Sequence, residues 1–359
     1  MKLWNEGLGT LLSCTMACAL LLSAAASVQA QKKKPEGFRF IDHIDKKQID
    51  LTYNGKLLTA YCYYDSAMKP VLYPINTVSG VTVTRGYPLA PRPGERVDHP
   101  HHIGMWMNYE SVNGLDFWNN STAIPYANRE KYGSIVHDGV VRTDFSSSKA
   151  LLEVTARWVN HAGEILLREH TQYKFSVDDG NLLIDRKTTL TAMEKEVKFK
   201  DIKDGFLGIR VARELEHPSN EPEVFMDAHG NPTTVPAINN EGVSGEYLSS
   251  EGLKGNDVWS TRGRWVSLRG KKDGKDVSIT VIDHPKNPGY PTYWHARGYG
   301  LFAANPLGQE VFSKGKEKLN LMLKPEESVT FQYRVVIHEG DVLDAGRIDK
   351  MTKDFSKAD

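Results

Sequence analysis

Alternation of apolar and polar residues with a period of two is the feature that most constrains the fold of this chain. In residues 152–158 (LEVTARW) every second residue is apolar, which in an extended strand places these side chains on one face. The same period recurs in residues 182–190 and 329–337. Many such short segments follow one another with few helical stretches between them. The pattern therefore predicts an all-β, mainly antiparallel β-sandwich.

Turn residues divide the strand-like segments. Asn54-Gly55 and Asp179-Gly180 each lie between two such segments and predict tight hairpins. Residues 202–216 fit a strand or a helix equally well by periodicity. Residues 217–263 are rich in Pro, Gly, Asn and Ser, so we expect a long loop or an irregular excursion over the surface there.

The chain divides into three predicted parts. Residues 1–30 combine an early lysine, an apolar run and small residues ending at Ala30, which is typical of a secretory signal peptide. Residues 31–340 are expected to form a single large β-sandwich domain. Residues 341–359 carry Ile348, Met351 and Phe355 at helical spacing and predict a short C-terminal helix. The mature protein is therefore expected to be periplasmic or secreted.

Composition limits the partners. The chain has 45 acidic and 45 basic residues, so it lacks the basic excess of a nucleic-acid-binding protein. No segment outside the signal peptide approaches the length of a membrane span. Fifteen Tyr and seven Trp in an exported protein suggest flat, neutral ligands such as sugars. We therefore expect a small-molecule or glycan substrate, no nucleic acid and no integral membrane span, with the oligomeric state open.

The strongest candidate site is Asp98-His99-Pro100-His101-His102. If this stretch is extended, His99 and His101 point to one face and His102 to the other. Imidazoles beside a carboxylate suit metal binding or acid–base chemistry, and they can also simply hold a Pro-rich loop. We take His99, His101 and His102 as candidate catalytic residues. The candidate substrate-binding residues near them in sequence are Arg85, Trp106, Asp116 and Trp118.

A second candidate segment lies near the C-terminal end. Asp283-His284-Pro285 repeats the tripeptide of the first cluster and is followed by an aromatic stretch with an imidazole and a guanidinium. Such groups can stack on a pyranose ring and bind its hydroxyls. From this segment we take His295 as a catalytic candidate, and His284, Trp294, Arg297 and Asn305 as candidates for substrate binding.

A third, weaker set of charged residues is interpreted as a solvated surface. It consists of Asp201, Asp204, Arg210, Arg213 and Glu214. The sequence has no Gly-rich phosphate loop, nucleophile elbow, zincin motif or paired CxxC. After removal of residues 1–30 the only cysteine is Cys62, in an apolar run that predicts a buried structural thiol.

The two candidate segments together resemble the PmoA-like family. The resemblance is carried by Gly80, Val83-Thr84-Arg85, Pro88, Asp98-His99-Pro100-His101-His102, Gly104, Trp106, Asn113-Gly114, Asp116-Phe117-Trp118, Trp294, Arg297-Gly298-Tyr299-Gly300 and Asn305-Pro306. It implies an all-β protein associated with carbohydrate use, with a fold similar to the large galactose mutarotase sandwich. In mutarotase-type enzymes a histidine acid and a carboxylate base act on the anomeric centre, but their motifs are not recognisable in this sequence.

Three functions are consistent with these residues. The first is an exported enzyme that acts on a sugar or glycoside by His-based acid–base chemistry, such as an epimerase, a lyase or a glycoside-processing enzyme. The second is a non-catalytic carbohydrate-binding protein. The third is a metal-dependent enzyme that uses the His cluster, although the sequence identifies neither a metal nor another cofactor.

Overall fold

Two eight-stranded sheets dominate the computed structural model of the chain, which describes residues 37–237 and 239–357. Every strand pairing in both sheets is antiparallel. The all-β, mainly antiparallel sandwich with a short C-terminal helix is therefore confirmed. The predicted signal peptide, residues 1–30, lies outside the described residues.

The elements are numbered in chain order. The strands are β1 (Phe38–His43), β2 (Gln48–Tyr53), β3 (Lys56–Cys62), β4 (Val71–Ile75), β5 (Met105–Tyr109), β6 (Ser134–Phe145), β7 (Lys149–Val159), β8 (Ile165–Asp178), β9 (Asn181–Ala192), β10 (Val197–Lys198), β11 (Gly205–Arg210), β12 (Glu223–Met226), β13 (Pro232–Val235), β14 (Glu246–Ser249), β15 (Trp265–Lys272), β16 (Lys275–Asp283), β17 (Tyr293–Arg297), β18 (Leu301–Asn305), β19 (Met322–Leu323) and β20 (Ser328–Glu339). The α-helices are α1 (Gln309–Phe312) and α2 (Ala345–Ser356).

The first sheet has the strand order β1-β2-β3-β4-β5-β11-β18-β17, and the second has the order β14-β15-β16-β20-β9-β8-β7-β6. Apolar side chains from both sheets meet in one buried cluster, where the rings of Phe206 on β11 and Phe331 on β20 are 4.4 Å apart. On β7 the buried residues Leu152, Val154 and Trp158 share the parity that the alternation predicts. The core thus lies between the two sheets, and each sheet also has an outer face.

The turns follow the sequence signals, whereas the irregular stretch is partly ordered. Asn54 and Gly55 both have positive φ and connect β2 to β3, and Asp179-Gly180 connects β8 to β9 in the same way. Residues 202–216 contain the strand β11. Residues 217–263 contain the short β12–β13 ribbon and the strand β14, and most of the remaining described residues have no regular secondary structure, so the prediction is wrong only for these short elements.

The helix α2 begins after Asp344, whose side chain accepts a hydrogen bond from the backbone N–H of Arg347. Its buried residues Ile348 and Phe355 pack with Trp265 and Ile282 of the second sheet. None of the helices in the described part of the chain is long and apolar enough to cross a membrane.

Candidate functional site

The outer face of the first sheet carries the candidate site. A row of paired residues across four strands forms its floor, and the polar side chains at the two ends of this row form its walls. Along β5, β11, β18 and β17 the residues Trp106, Gly208, Ala303 and His295 pair in one row. Neighbouring strands lie about 4.8 Å apart, so Trp106 and His295 are roughly 14 Å apart across the sheet. The two residues between them are glycine and alanine, and the indole of Trp106 occupies the space over Gly208, where a Cβ atom would lie 2.6 Å from its Cζ2.

The three clustered histidines lie in a turn. His99 has a φ of +44°, and its carbonyl accepts a hydrogen bond of 2.9 Å from the backbone N–H of His102. The extended conformation assumed from the sequence is therefore wrong, and the three rings are not divided between two faces. His99 stacks on His102 with centroids 4.8 Å apart, and His101 meets His102 edge-on at 4.3 Å.

Aromatic rings extend this cluster on both sides. The buried indole of Trp106 stacks on His102 at 5.1 Å, and the phenol ring of Tyr299 stacks on His99 at 5.1 Å. Trp118 contacts both Trp106 and His102, at 5.1 and 5.7 Å. Trp118 is itself buried, so it supports the cluster from behind.

Asp98 anchors the histidine turn. Its carboxylate accepts hydrogen bonds from Arg85, from Arg210 Nη2 at 2.6 Å and from His99 Nδ1 at 2.6 Å. Arg85 also donates to the carbonyls of His99 and His102. Although burial acts in the opposite direction, Arg210, His99 and Arg85 hold the pKa of Asp98 well below its ordinary value. Asp98 is therefore ionised, and Arg85 acts as a clamp on the turn.

These contacts fix how two of the imidazoles can act. A guanidinium can only donate, so the 3.2 Å contact from Arg210 Nη1 makes His102 Nδ1 an acceptor and leaves its proton on Nε2. The bond to ionised Asp98 places a proton on His99 Nδ1, which leaves Nε2 as the nitrogen that can accept a proton. His99 therefore offers a base, and His102 offers a donor.

Burial keeps the two inner histidines uncharged. It lowers the pKa of His102, with further lowering by His101 and Arg210. It also lowers the pKa of His101 to about 2, with Lys69 as the next contribution. Lys69 is buried, donates from Nζ to the His101 carbonyl at 2.8 Å and has its own pKa lowered by burial to about 7.

A group of carboxylates lies further along the same face. Glu110 directly follows β5, and burial together with Asp204 and Asp116 raises its pKa to about 7. Asp116 accepts hydrogen bonds from the backbone and side chain of Asn119, and burial raises its pKa as well. On β17, His295 Nε2 lies 3.9 Å from Asp204, and burial lowers the pKa of His295 to about 4.

Unpaired buried polar atoms concentrate on this face. Trp106 Nε1, Asn108 Oδ1 and Glu110 Oε2, at alternate positions of one strand, have no hydrogen-bond partner among the described residues. The same is true of His101 Nε2, His102 Nε2 and His295 Nδ1. Buried polar groups are nearly always paired in native proteins, so these atoms are candidates for polar contacts beyond those within the protein, as are Arg186 Nη1 and Ser278 Oγ elsewhere.

The predicted segments are thus only partly brought together. His295 and Arg297 lie on the same outer face as the histidine turn, since Arg297 is 5.7 Å from the Tyr299 ring that stacks on His99. The structure does not bring Trp294 there. Its side chain points between the sheets and donates to the Gly263 carbonyl at 3.0 Å, so it is a core residue.

Two further predicted binding residues have structural roles. Asn305 donates to the carbonyls of Ile202 and Lys203 and accepts from the N–H of Leu307, which uses its amide fully. His284 follows β16 in the second sheet and packs edge-on against Phe355 of α2. The repeated Asp-His-Pro tripeptide therefore does not form a second half of the site.

Several residues of the site were missed from the sequence. Arg210 and Asp201 are buried, so their interpretation as part of a solvated surface is wrong. Asp201 accepts three backbone hydrogen bonds, from Glu310, Leu319 and Asn320, and organises a loop. Glu110 could have been found, because it shares the parity of Trp106 and Asn108 along β5. Nothing in the sequence points to Lys69.

The described residues contain no group of three or more His, Cys, Asp or Glu side chains placed to hold a metal ion. In the histidine turn itself, His99 Nδ1 and His102 Nδ1 are committed to Asp98 and Arg210. The geometry therefore gives no support to the metal-ligand interpretation of this cluster.

A substitution at Gly208 tests whether the Trp106 indole must pack directly on the sheet. A Cβ atom at this position would lie 2.6 Å from Cζ2 of Trp106, so Gly208→Ala must displace the indole on which His102 stacks. We expect a loss of about 1–3 kcal/mol in the free energy of unfolding. Chemical denaturation measures it, with Gly139→Ala as the control because nothing lies within 4 Å of a Cβ there. Equal stability of the two variants would contradict this description of the floor.

The fold and the site together define a two-sheet antiparallel β-sandwich protein with a histidine, arginine and carboxylate site on the outer face of one sheet. A family model matches residues 48–353, and the chain belongs to that family, described as Family of unknown function (DUF6807). No PmoA family model matches, so the assignment to the PmoA-like family is wrong. Short motifs around a histidine turn were not specific enough to identify the family.

Solved structures similar to the chain include galactose mutarotase-like sandwiches. A galactose mutarotase-like protein from Clostridium acetobutylicum is 11% identical, with 84% of this chain and 98% of that chain covered and a TM-score of 0.35. Galactose 1-epimerase from Lactobacillus acidophilus is 12% identical, with 85% of this chain and 98% of that chain covered and a TM-score of 0.36. The galactosidase domain of alpha-galactosidase-sucrose kinase is 11% identical, with 84% of this chain covered and a TM-score of 0.39. Only 42% of that chain is covered, so this chain spans less than half of it. No curated protein matches. These values are too low to transfer an activity or a substrate.

Proposed function

We propose that this protein is an enzyme that transfers protons on a sugar or glycoside, with His99 as the base. The observation that carries the proposal is the free Nε2 of the partly exposed His99, whose Nδ1 donates to Asp98 at 2.6 Å. The buried imidazole of His102, which Arg210 contacts, stacks on His99 at 4.8 Å and holds its ring in place. Epimerisation and elimination both begin when a base removes a proton from a sugar carbon.

The three histidines of the turn differ in their access to solvent. The side chain of His99 is 41% exposed, so its free nitrogen is open to a substrate. His102 is buried behind it, and His101 lies at the edge of both rings. The substrate therefore enters from the side of His99 and Tyr299.

A sugar suits the composition of the walls. Trp259 is 39% exposed, so its ring can stack on the apolar C–H face of a pyranose. On the basis of the predicted signal peptide we further propose that the protein works in the periplasm or outside the cell.

Glu110 provides the pH signature of this proposal. A carboxyl group whose pKa is raised to about 7 can act as an acid at neutral pH, and it loses that ability as the pH rises through 7. We expect kcat/KM to fall above pH 7 in the wild type. In Glu110→Gln that inflection should be absent and the rate about 10²-fold lower.

A pH–rate profile of both proteins is the test. Glu241→Gln, at an exposed position, is the matched control and should leave the profile unchanged. An inflection near pH 7 that persists in Glu110→Gln would show that another group titrates, and it would remove Glu110 from the chemistry.

A non-catalytic carbohydrate-binding protein is the second candidate, favoured by the aromatic surface that Trp259 and Tyr299 form around Arg297. Calorimetry with candidate sugars separates the two functions. A binding protein would keep its affinity when His101 and His102 are replaced by Ala and lose it in Trp259→Ala. An enzyme would lose turnover in the histidine variant.

A further inference from the structure

Arg297 is held in a defined position at the end of β17. Its guanidinium lies 5.2 Å from the ring centroid of Trp259 and 5.7 Å from that of Tyr299, within the range of cation–π contacts. Its carbonyl accepts hydrogen bonds from Gly300 N–H at 3.0 Å and from the Tyr247 hydroxyl at 3.3 Å. The side chain is partly exposed and belongs to the wall of the candidate site.

No carboxylate lies within 4 Å of this guanidinium among the described residues, unlike the other arginines of the wall. Arg85 and Arg210 both bind Asp98. Behind Tyr299, Arg96 and Arg213 both donate to Glu216 Oε2, and Arg96 also donates to Glu223. The local charges therefore leave Arg297 without an internal counterion.

The remaining acidic groups nearby do not change this balance. Asp204 lies 3.8 Å from Lys203 and 3.9 Å from His295. Burial raises the pKa of Tyr299 to about 12, so its phenol stays neutral at physiological pH. An anion brought by the substrate would meet Arg297, with the charge of Arg210 on the same tyrosine ring at 5.0 Å.

We propose that Arg297 binds an anionic substituent of the substrate, so that the site takes acidic sugars rather than neutral ones. This inference rests on the proposed action on sugars and names the substrate class. The planar fork of a guanidinium matches the oxygen pair of a carboxylate or of a sulfate ester. The two aromatic rings hold that fork ready, and its donors are not used within the described part of the chain.

Calorimetry on the intact protein tests this proposal. The probes are glucuronic and galacturonic acid, their neutral parents glucose and galactose, and galactose 6-sulfate. We expect the wild type to bind at least one acidic sugar about tenfold or more tightly than its parent, since hydrogen bonds to charged groups are worth roughly 10- to 100-fold in affinity. Comparison of the affinities for the two uronic acids and for galactose 6-sulfate shows whether a carboxylate or a sulfate ester is preferred.

Variants assign the effect to the guanidinium. Arg297→Gln should abolish the difference in affinity between an acidic sugar and its neutral parent, and Arg297→Lys should restore only part of it. Arg142→Gln removes an exposed charge from the edge strand β6 and is the charge-matched control. Equal affinity for acidic and neutral sugars, or a preference that survives in Arg297→Gln, would overturn the inference.

Turnover assays with the same sugars, together with the calorimetric affinities, separate this inference from the proposed function. An Arg297-dependent preference for acidic sugars without turnover supports the inference and removes the enzymatic role. Turnover of neutral sugars with no such preference supports the enzymatic role and overturns the inference. Absence of binding to every probe also overturns it.

Discussion

Asp98→Asn should lower the free energy of unfolding by about 3–5 kcal/mol, since it removes one partner of a buried ion-pair network. The side chain of Asp98 is 11% exposed, whereas those of Arg85 and Arg210 are 1% and 0% exposed. Asparagine has nearly the same shape but cannot neutralise either guanidinium. It would also release His99 Nδ1, so catalysis should fall together with stability.

The pH dependence of stability gives an independent signature. The pKa of Asp98 in the folded protein is held well below its ordinary value, so the unfolded state binds more protons in acid. Its stabilisation is therefore present above about pH 4 and is lost as the pH falls below that value. Urea denaturation at several pH values measures this loss. In Asp98→Asn this contribution to the acid destabilisation should be missing.

Asp138→Asn is the matched control. Asp138 pairs with Arg157 on the outer strands of the second sheet, where both side chains are partly exposed. Such a pair contributes about 1 kcal/mol or less. A similar small loss in Asp98→Asn would contradict the description of Asp98 as the anchor of the histidine turn.

Replacement of both His101 and His102 by Ala should abolish turnover, with a loss on the order of 10⁴-fold in kcat/KM. The double variant removes the imidazole on which His99 stacks and the imidazole that meets His99 edge-on. Its folding is checked by circular dichroism and denaturation. His102→Gln, which retains a polar side chain, serves as a second variant if the double variant does not fold.

His161→Ala with His170→Ala is the control for two lost imidazoles. His161 is exposed, and the half-exposed His170 pairs with Glu153 on the second sheet. This control should keep wild-type activity. Full activity in the His101 and His102 double variant would refute the assignment of the histidine turn to catalysis.

The fold could be predicted because strand periodicity is a local property. The alternation on β7 and the Asn54-Gly55 turn are set by residues adjacent in sequence, and the structure has both. The helix α2 was likewise visible in the spacing of Ile348 and Phe355. The β12–β13 ribbon was missed because its strands are only four residues long and alternate weakly.

The candidate site was only partly predictable, because it depends on which strands become neighbours. Local sequence identified the histidine turn, but it could not show that β11 would bring Arg210 beneath it. The other errors arose because the sequence did not show which side chains face the core. Trp294 and Arg297 are three residues apart on β17 and face opposite sides of the sheet, so one belongs to the core and the other to the site.

The most direct test of proton transfer by the histidine turn is an NMR time course in D₂O. Wild-type protein and the His101 and His102 double variant are each incubated with the acidic and neutral sugars named above. Proton transfer predicts that the wild type incorporates deuterium at a sugar carbon, or forms an epimer or an unsaturated product, at a rate that the double variant does not reach above background. Equal rates for the two folded proteins would contradict it.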